Sequence, residues 1–120
     1  MLLDPLVVAA SAPNPAYSFA VIRSDGYGSE RRDVATGTLM TINHEKSQKG
    51  DRHYLKFTLS KDAVNPYSGL TTRQTLTGSM TINVPAYGFT ESEAVNFIKM
   101  MQDVLNDTDF TSARWLQFQS

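Results

Sequence analysis

Several stretches of this chain alternate apolar and polar residues with a period of two, and one stretch near the C-terminus repeats at helical spacing. Between Thr75 and Val84, Leu76, Gly78, Met80, Ile82 and Val84 share one parity; Thr75, Thr77, Ser79, Thr81 and Asn83 share the other. Successive strand side chains point to opposite faces, so this predicts a long strand with one apolar and one hydroxyl-rich face. Pro85 has no amide proton and ends the ladder. Thr90, three residues before Glu93, has the spacing of a capping box. Ala94, Phe97, Ile98, Met101, Val104 and Leu105 then follow at helical spacing.

The same two-residue rhythm recurs upstream. A short apolar run at 5–10 predicts an edge strand, and Pro13-Asn14-Pro15 a turn cluster. Tyr17, Phe19 and Val21 oppose Ser18, Ala20 and Ile22, so 17–24 completes a hairpin with the first run. After the Asp25-Gly26 turn, 29–34 predicts a charged strand whose charges guard an edge. In 36–46, Met40, Ile42 and His44 alternate with Thr41, Asn43 and Glu45. In 52–60, Leu55, Phe57 and Leu59 alternate with Tyr54, Lys56, Thr58 and Ser60. Residues 47–51 form a hairpin loop between them. Residues 62–72, nearly free of charge and containing Asn65-Pro66 and Gly69, predict a long loop, either functional or a plain connector, in which the Asn-Pro bond can populate the cis isomer. Ala113, Trp115, Leu116 and Phe118 predict a short second helix within 110–118.

Strands first and helices last is an α+β order: an antiparallel meander with helices on one face. Two helices, the second very short, are too few to roof five or six strands. A second copy of the chain is therefore expected to complete the cover, as a homodimer.

Composition adds boundaries rather than a function. The 120 residues suit one domain, 1–120, and the chain has no cysteine, hence no disulfide framework, thiolate metal site or thiol nucleophile. No apolar run reaches the roughly 20 residues of a membrane span, and the opening Leu2-Leu3, without a basic start, reads as mature chain. The net charge of −1 conceals a gradient. Residues 16–61 hold eight Lys/Arg against five Asp/Glu, and residues 86–120 hold two against five. This is either chance or a basic face suited to a polyanion.

Catalytic signals are poor, and no enzyme activity, cofactor or metal is expected. His44 lies at the end of an apolar face, His53 flanks a hairpin loop, and Glu91 and Glu93 belong to a helix start. Asp103, Asp107 and Asp109 lack the glycine and closing Glu of a calcium loop. No phosphate-cradling glycine loop or nucleophile elbow is present, and Met100-Met101 is expected to fill core. The polar sheet face is the better candidate: Thr41, Asn43, Glu45, Tyr54, Lys56, Thr58, Thr77, Ser79 and Thr81, with Arg52 and Lys46 at the rim. Hydroxyls and amides bond base edges and phosphates, lysine and arginine neutralise phosphate charge, and Tyr54 can stack on a base. Thr-rich faces also arise because threonine favours strands.

The order of these elements resembles the coat proteins of single-stranded RNA bacteriophages of the levivirus type. The likeness is carried by TGSMTINVPAYGFTESEAVNFIKMMQDVL (77–105), by the hairpin TLMTINHEKSQKGDRHYLKFTLSK (38–61) and by the turn SDGYGSE (24–30). It implies an N-terminal β-hairpin, a five-stranded antiparallel sheet and two C-terminal helices in an interlocked dimer. Such dimers build an icosahedral shell, sheet inward to the genome and helices outward. It further implies binding of a genomic single-stranded RNA hairpin, repression of replicase translation and genome packaging, with the virion as location and the bacterial cytoplasm as place of assembly. Thr41 and Asn43 fall where the family has small polar residues around a flipped adenine, Lys56 on a family lysine, and Ser79 and Thr81 on polar contact positions. Thr77 departs from a stacking tyrosine, for which Tyr54 could substitute, and Glu45 replaces a basic residue. The loop with Asn65, Pro66, Tyr67 and Gly69 lies where the family places its conformational switch at the symmetry axes. The alternative is a sheet-based single-stranded nucleic-acid-binding module that builds no shell.

Overall fold

The structure is a computed structural model that describes residues 2, 4–10 and 14–118. Residues 11–13, which include Pro13 of the expected turn cluster, lie outside them. Six strands and two helices follow in chain order: β1 Leu6–Val8, β2 Tyr17–Ser24, β3 Gly28–Asp33, β4 Leu39–Ser47, β5 Gly50–Val64, β6 Thr71–Pro85, α1 Glu91–Leu105 and α2 Ser112–Leu116. All six strands join one sheet in the order β1-β2-β3-β4-β5-β6. The N-terminal hairpin is therefore continuous with the other strands, and the sheet has six strands rather than five. The chain divides into two compact units, Met1–Asn83 and Val84–Ser120.

Register explains the alternation. Met40 pairs with Phe57, Ile42 with Leu55 and His44 with His53 on one face of β4–β5. Thr41 pairs with Lys56, Asn43 with Tyr54 and Glu45 with Arg52 on the other. The turn between these strands is only Gln48-Lys49, with Ser47 opposite Gly50, and the Ser47 hydroxyl donates to the Gly50 carbonyl at 2.9 Å. The expected loop at 47–51 is mostly ladder. The loop at 62–72 also shrinks. β5 and β6 run into it, leaving Asn65 to Leu70 between them. There the Asn65 N–H donates to the Leu70 carbonyl and the Gly69 N–H to the Asn65 carbonyl, both at 2.8 Å. Gly69 sits at φ 72°, a left-handed position that disfavours a side chain. The Asn65-Pro66 bond is trans; among the described residues the cis bond is Asp4-Pro5.

The charged strand β3 is not an edge. It lies between β2 and β4, and Arg31 and Asp33 are buried. Parity resolves the apparent conflict. Glu30 and Arg32 point to the polar face, opposite Thr41 and Leu39, while Arg31 and Asp33 point to the apolar one, opposite Met40 and Phe19. Charges on that side persist because they are hydrogen-bonded. Arg31 donates through Nε to Ser29 Oγ and through a terminal nitrogen to the Leu2 carbonyl, both at 3.4 Å. Asp33 accepts from the Thr36 hydroxyl at 2.6 Å, from the Thr36 N–H at 3.3 Å and from the Ser18 N–H at 3.3 Å. It thus closes the β3–β4 turn and ties it to β2. The Thr36 hydroxyl is the main cause of a carboxyl pKa below its ordinary 3.8; burial opposes the shift, and the N–H donors of Ser18, Thr36 and Ala35 reinforce it.

The apolar centre of the sheet unit is small. Phe19 and Met40 are its buried hydrophobic residues. The Phe19 ring stacks on Tyr17, centroids 5.8 Å apart, and meets the edge of Phe57 at 6.2 Å. A bulge shifts the β2–β3 register between Val21 and Arg23, and towards β1 the Val21 N–H donates to Asp4 Oδ1 at 3.0 Å. In the second unit, Thr90 caps α1 by accepting from the Glu93 N–H at 3.2 Å, and Thr111 caps α2 through Arg114 at 3.1 Å. Neither helix contains a buried residue. Phe97, expected on the packed stripe of α1, is 51% exposed, and Met100, expected in the core, is 52% exposed.

Truncating Met40 to Ala should cost about 2–5 kcal/mol in denaturant unfolding, whereas Val34→Ala, at an exposed turn, should stay within about 0.5 kcal/mol. Asp33 should also leave a signature in acid. Its folded-state pKa is depressed, so its contribution is complete above the ordinary 3.8 and fades as pH falls through the lower folded value. Melting curves of the parent and Asp33→Asn should therefore differ most at neutral pH and converge only as the pH falls below the depressed folded-state value. A gap that does not change with pH would mean that Asp33 acts through shape rather than charge.

Candidate nucleic-acid interface

The polar face is assembled by pairing. Strands β4 and β5 contribute Thr41 beside Lys56, Asn43 beside Tyr54, Glu45 beside Arg52, and Thr58 opposite Leu39. Strand β6 extends it. The Ser60 and Thr75 hydroxyls lie 3.1 Å apart, and an Arg73 terminal nitrogen is 3.8 Å from Asp62 Oδ1. Two-residue alternation from Thr75 carries Thr77, Ser79 and Thr81 onto that same face, all exposed. The ten residues expected to form the polar face thus share one side of the sheet. Lys46 does not join them, for it pairs with Asp51 on the side of His44 and His53.

Two parts of this face depend on strands that alternation in β4–β6 does not reach. Arg23 pairs with Glu30, which in turn pairs with Thr41; Arg32 pairs with Ala20 and Leu39. Arg23, Asp25, Gly28, Ser29, Glu30, Thr41, Ile42 and Asn43 line a shallow depression of about 170 Å³. Gly28 makes this close approach possible. A Cβ there would stand 2.8 Å from the Ile42 carbonyl oxygen and 3.0 Å from Asn43 Oδ1. Asn43, Glu45, Arg52 and Tyr54 line a second depression of about 150 Å³. Alternation within β3 was the available signal for Glu30 and Arg32, but the β2 bulge hides Arg23 from a simple count.

Across β2–β6 the face holds Arg23, Arg32, Arg52, Lys56 and Arg73 against Glu30, Glu45 and Asp62. The surplus is basic but tempered. Arg52 reaches Glu45 at 3.7 Å and lies 5.8 Å from the centre of the Tyr54 ring. Both charged side chains of that pair are at least half exposed, so water screens the attraction strongly and a phosphate can compete for Arg52. Lys56, beside the neutral Thr41, keeps a charge that no cross-strand carboxylate offsets. The arrangement suits a ligand with spaced negative charges and flat rings: phosphates for the cations, base edges for Thr41, Asn43, Ser79 and Thr81, and a ring for Tyr54.

The loop residues form a separate group. Asn65 Oδ1 accepts from the Tyr67 N–H at 2.8 Å, an Asx turn that projects Tyr67 outward, 97% exposed. Leu70, at the end of the same loop, is also exposed. A large apolar ring held in the open by its own backbone is a surface suited to contact with another molecule. The two histidines, by contrast, are brought together on the opposite face of the sheet. Among the described residues no group of three or more His, Cys, Asp or Glu could hold a metal ion, and no helix is long and apolar enough to cross a membrane.

No protein-family model and no curated protein sequence matches this chain. Solved structures do. The chain is similar to the virus-like particle protein of bacteriophage AVE019, with a TM-score of 0.78 and 11% identity over 92% of this chain and 91% of that one. It is similar to the virus-like particle protein of Beihai levi-like virus 21, with a TM-score of 0.73 and 12% identity over 100% and 97%. The coat protein of bacteriophage EMS014 matches with a TM-score of 0.62 and 20% identity over 93% and 79%. At these identities the likeness is one of fold: an antiparallel sheet followed by C-terminal helices, shared along nearly the whole chain with these virus-like particle and coat proteins.

Proposed function

We propose that this chain is the coat protein of a single-stranded RNA bacteriophage, a structural protein and not an enzyme, whose homodimers assemble into an icosahedral shell. The observation that carries this is the fold shared, over at least nine-tenths of the chain, with proteins that form virus-like particles. The exposure of apolar side chains supports it. Leu76 on β6 is 72% exposed and Leu59 on β5 is 40% exposed, while Val95, Phe97, Met100 and Val104 lie open on α1. Apolar area of this extent on strand and helix marks association surfaces, which a second copy would cover. β6 is also an edge, fifteen residues long, with Pro85 only at its end. Such an edge invites pairing with another chain.

In this proposal the polar face turns towards the genome. Arg23, Arg32, Lys56 and Arg73 meet phosphates, and Thr41, Asn43, Ser79 and Thr81 surround unstacked bases of an RNA hairpin. Tyr54 stacks where Thr77 cannot. Binding of that hairpin would repress replicase translation and select the genome for packaging, with assembly in the bacterial cytoplasm and the virion as destination. Glu45 lowers affinity for nonspecific RNA by placing a negative charge on this face beside Arg52. The loop residues Asn65, Pro66, Tyr67 and Gly69 adapt one chain to different positions in the shell.

Electron microscopy and light scattering of the expressed protein test the first step. Closed particles of megadalton mass are expected from the 13.3 kDa chain. Small oligomers that bind RNA but never close into shells would favour a non-assembling nucleic-acid-binding module instead. Lys56→Ala should weaken RNA binding and reduce the log–log salt slope by about 1; an unchanged slope would remove Lys56 from the contacts. Deleting Tyr67 and Ser68 should leave dimers intact and abolish particles of normal size, and normal particles would make the loop a passive connector.

A further inference from the structure

His44 and His53 occupy directly opposed positions on β4 and β5. Their Nδ1 atoms lie 2.8 Å apart and their ring centroids 5.1 Å apart, with ring planes inclined by 71°. Both residues are exposed, and neither lies on the face assigned to RNA. In this hydrogen bond one Nδ1 carries the hydrogen and the other accepts it through its lone pair. Once the donating ring moves its hydrogen to Nε2, both Nδ1 lone pairs are available within one small volume.

We propose that His44 and His53 form a two-imidazole binding site for a divalent transition-metal ion of the Cu²⁺ or Ni²⁺ class. The distances favour that class. Two metal–imidazole bonds of about 2.0–2.1 Å place their nitrogens about 2.9 Å apart at a right angle and about 3.3 Å apart at the tetrahedral angle. The 2.8 Å between the Nδ1 atoms is the length of their hydrogen bond. Replacing its hydrogen by an ion bound at a right angle, the geometry of square-planar and tetragonal ions, needs less separation of the rings than a tetrahedral ion does. Copper also heads the order of affinity of nitrogen sites for first-row divalent ions. Ligation requires both rings to carry their hydrogen on Nε2, so the ring donating through Nδ1 exchanges that proton through solvent.

The backbone holds the donors ready. The His44 N–H donates to the Tyr27 carbonyl at 2.9 Å, which fixes β4 to the start of β3, and the β4–β5 ladder fixes His53 opposite. The flanking pairs on the same face are Ile42 with Leu55 on one side and Lys46 with Asp51 on the other. The carboxylate of Asp51 and the ammonium of Lys46 offset each other there. With no third protein ligand in the described cluster, the remaining coordination positions stay open to water or to an added donor.

Titration of the intact protein with Cu²⁺ and with Ni²⁺, read by calorimetry and by electron paramagnetic resonance for copper, tests this. One Cu²⁺ per chain is expected, with a spectrum showing coupling to two imidazole nitrogens. His44→Gln and His53→Gln should each lower affinity about a hundredfold, because the second imidazole no longer adds its effective concentration. Parent affinity no greater than that of the double variant, or a two-nitrogen spectrum that survives either single change, would overturn the site. Should a variant fail to fold by circular dichroism, the parent spectrum still decides: coupling to fewer than two imidazole nitrogens refutes the proposal.

Discussion

The register between β4 and β5 is the constraint on which the rest depends. Nine residue pairs, from Leu39–Thr58 to Ser47–Gly50, follow one another without a slip. Because side chains alternate, a shift by one residue would send Met40, Ile42, Leu55 and Phe57 to the polar side and Thr41, Asn43, Tyr54 and Lys56 to the apolar side. The two-residue turn at Gln48-Lys49 leaves little slack for such a slip. One geometric decision thus places the candidate RNA contacts together, closes the aromatic contact of Phe19 with Phe57, and sets His44 against His53.

Strand β3 shows how the fold accommodates charge beside an apolar surface. Asp33 and Arg31 are nearly inaccessible, yet no buried side-chain polar atom among the described residues lacks a hydrogen-bond partner. Asp33 receives donors from its own turn and from β2, so desolvation is offset by bonds that also hold the turn in shape. Its neighbours Glu30 and Arg32 extend the polar face instead. A single strand therefore serves structure with one parity and surface chemistry with the other.

The exposed apolar residues bear on stability as well as assembly. With Phe19 and Met40 as the buried hydrophobic residues, the isolated chain gains little from burial. α1 has a sound cap at Thr90 and a Lys99–Asp103 pair one turn apart, but such local terms are worth tenths to about one kcal/mol each. In the proposed assembly, folding free energy and association become inseparable, because much of the apolar area would leave water only when copies meet. The proposed shell would then be the condition under which the fold is most stable.

Much of this was legible in the sequence. The period of two located the strands, Thr90 and Glu93 located the start of α1, and the strands-then-helices order set the fold class, because side-chain direction and capping are local properties. The ten polar-face residues were legible for the same reason, since parity along one strand needs no knowledge of its neighbours. The structure corrected what depends on partners. Charge made β3 look like an edge, but its neighbours and its hydrogen bonds make it interior. Loop chemistry at 62–72 suggested a long connector, but cross-strand pairing extends β5 and β6 into it. The bulge at Val21 brought Arg23 beside Glu30, and only register could bring two histidines nine residues apart to within hydrogen-bond distance. The sequence alone determined which residues could share a face, through the geometry of a single strand. The tertiary structure decided which faces meet, because pairing, bulges and turn length are settled between strands.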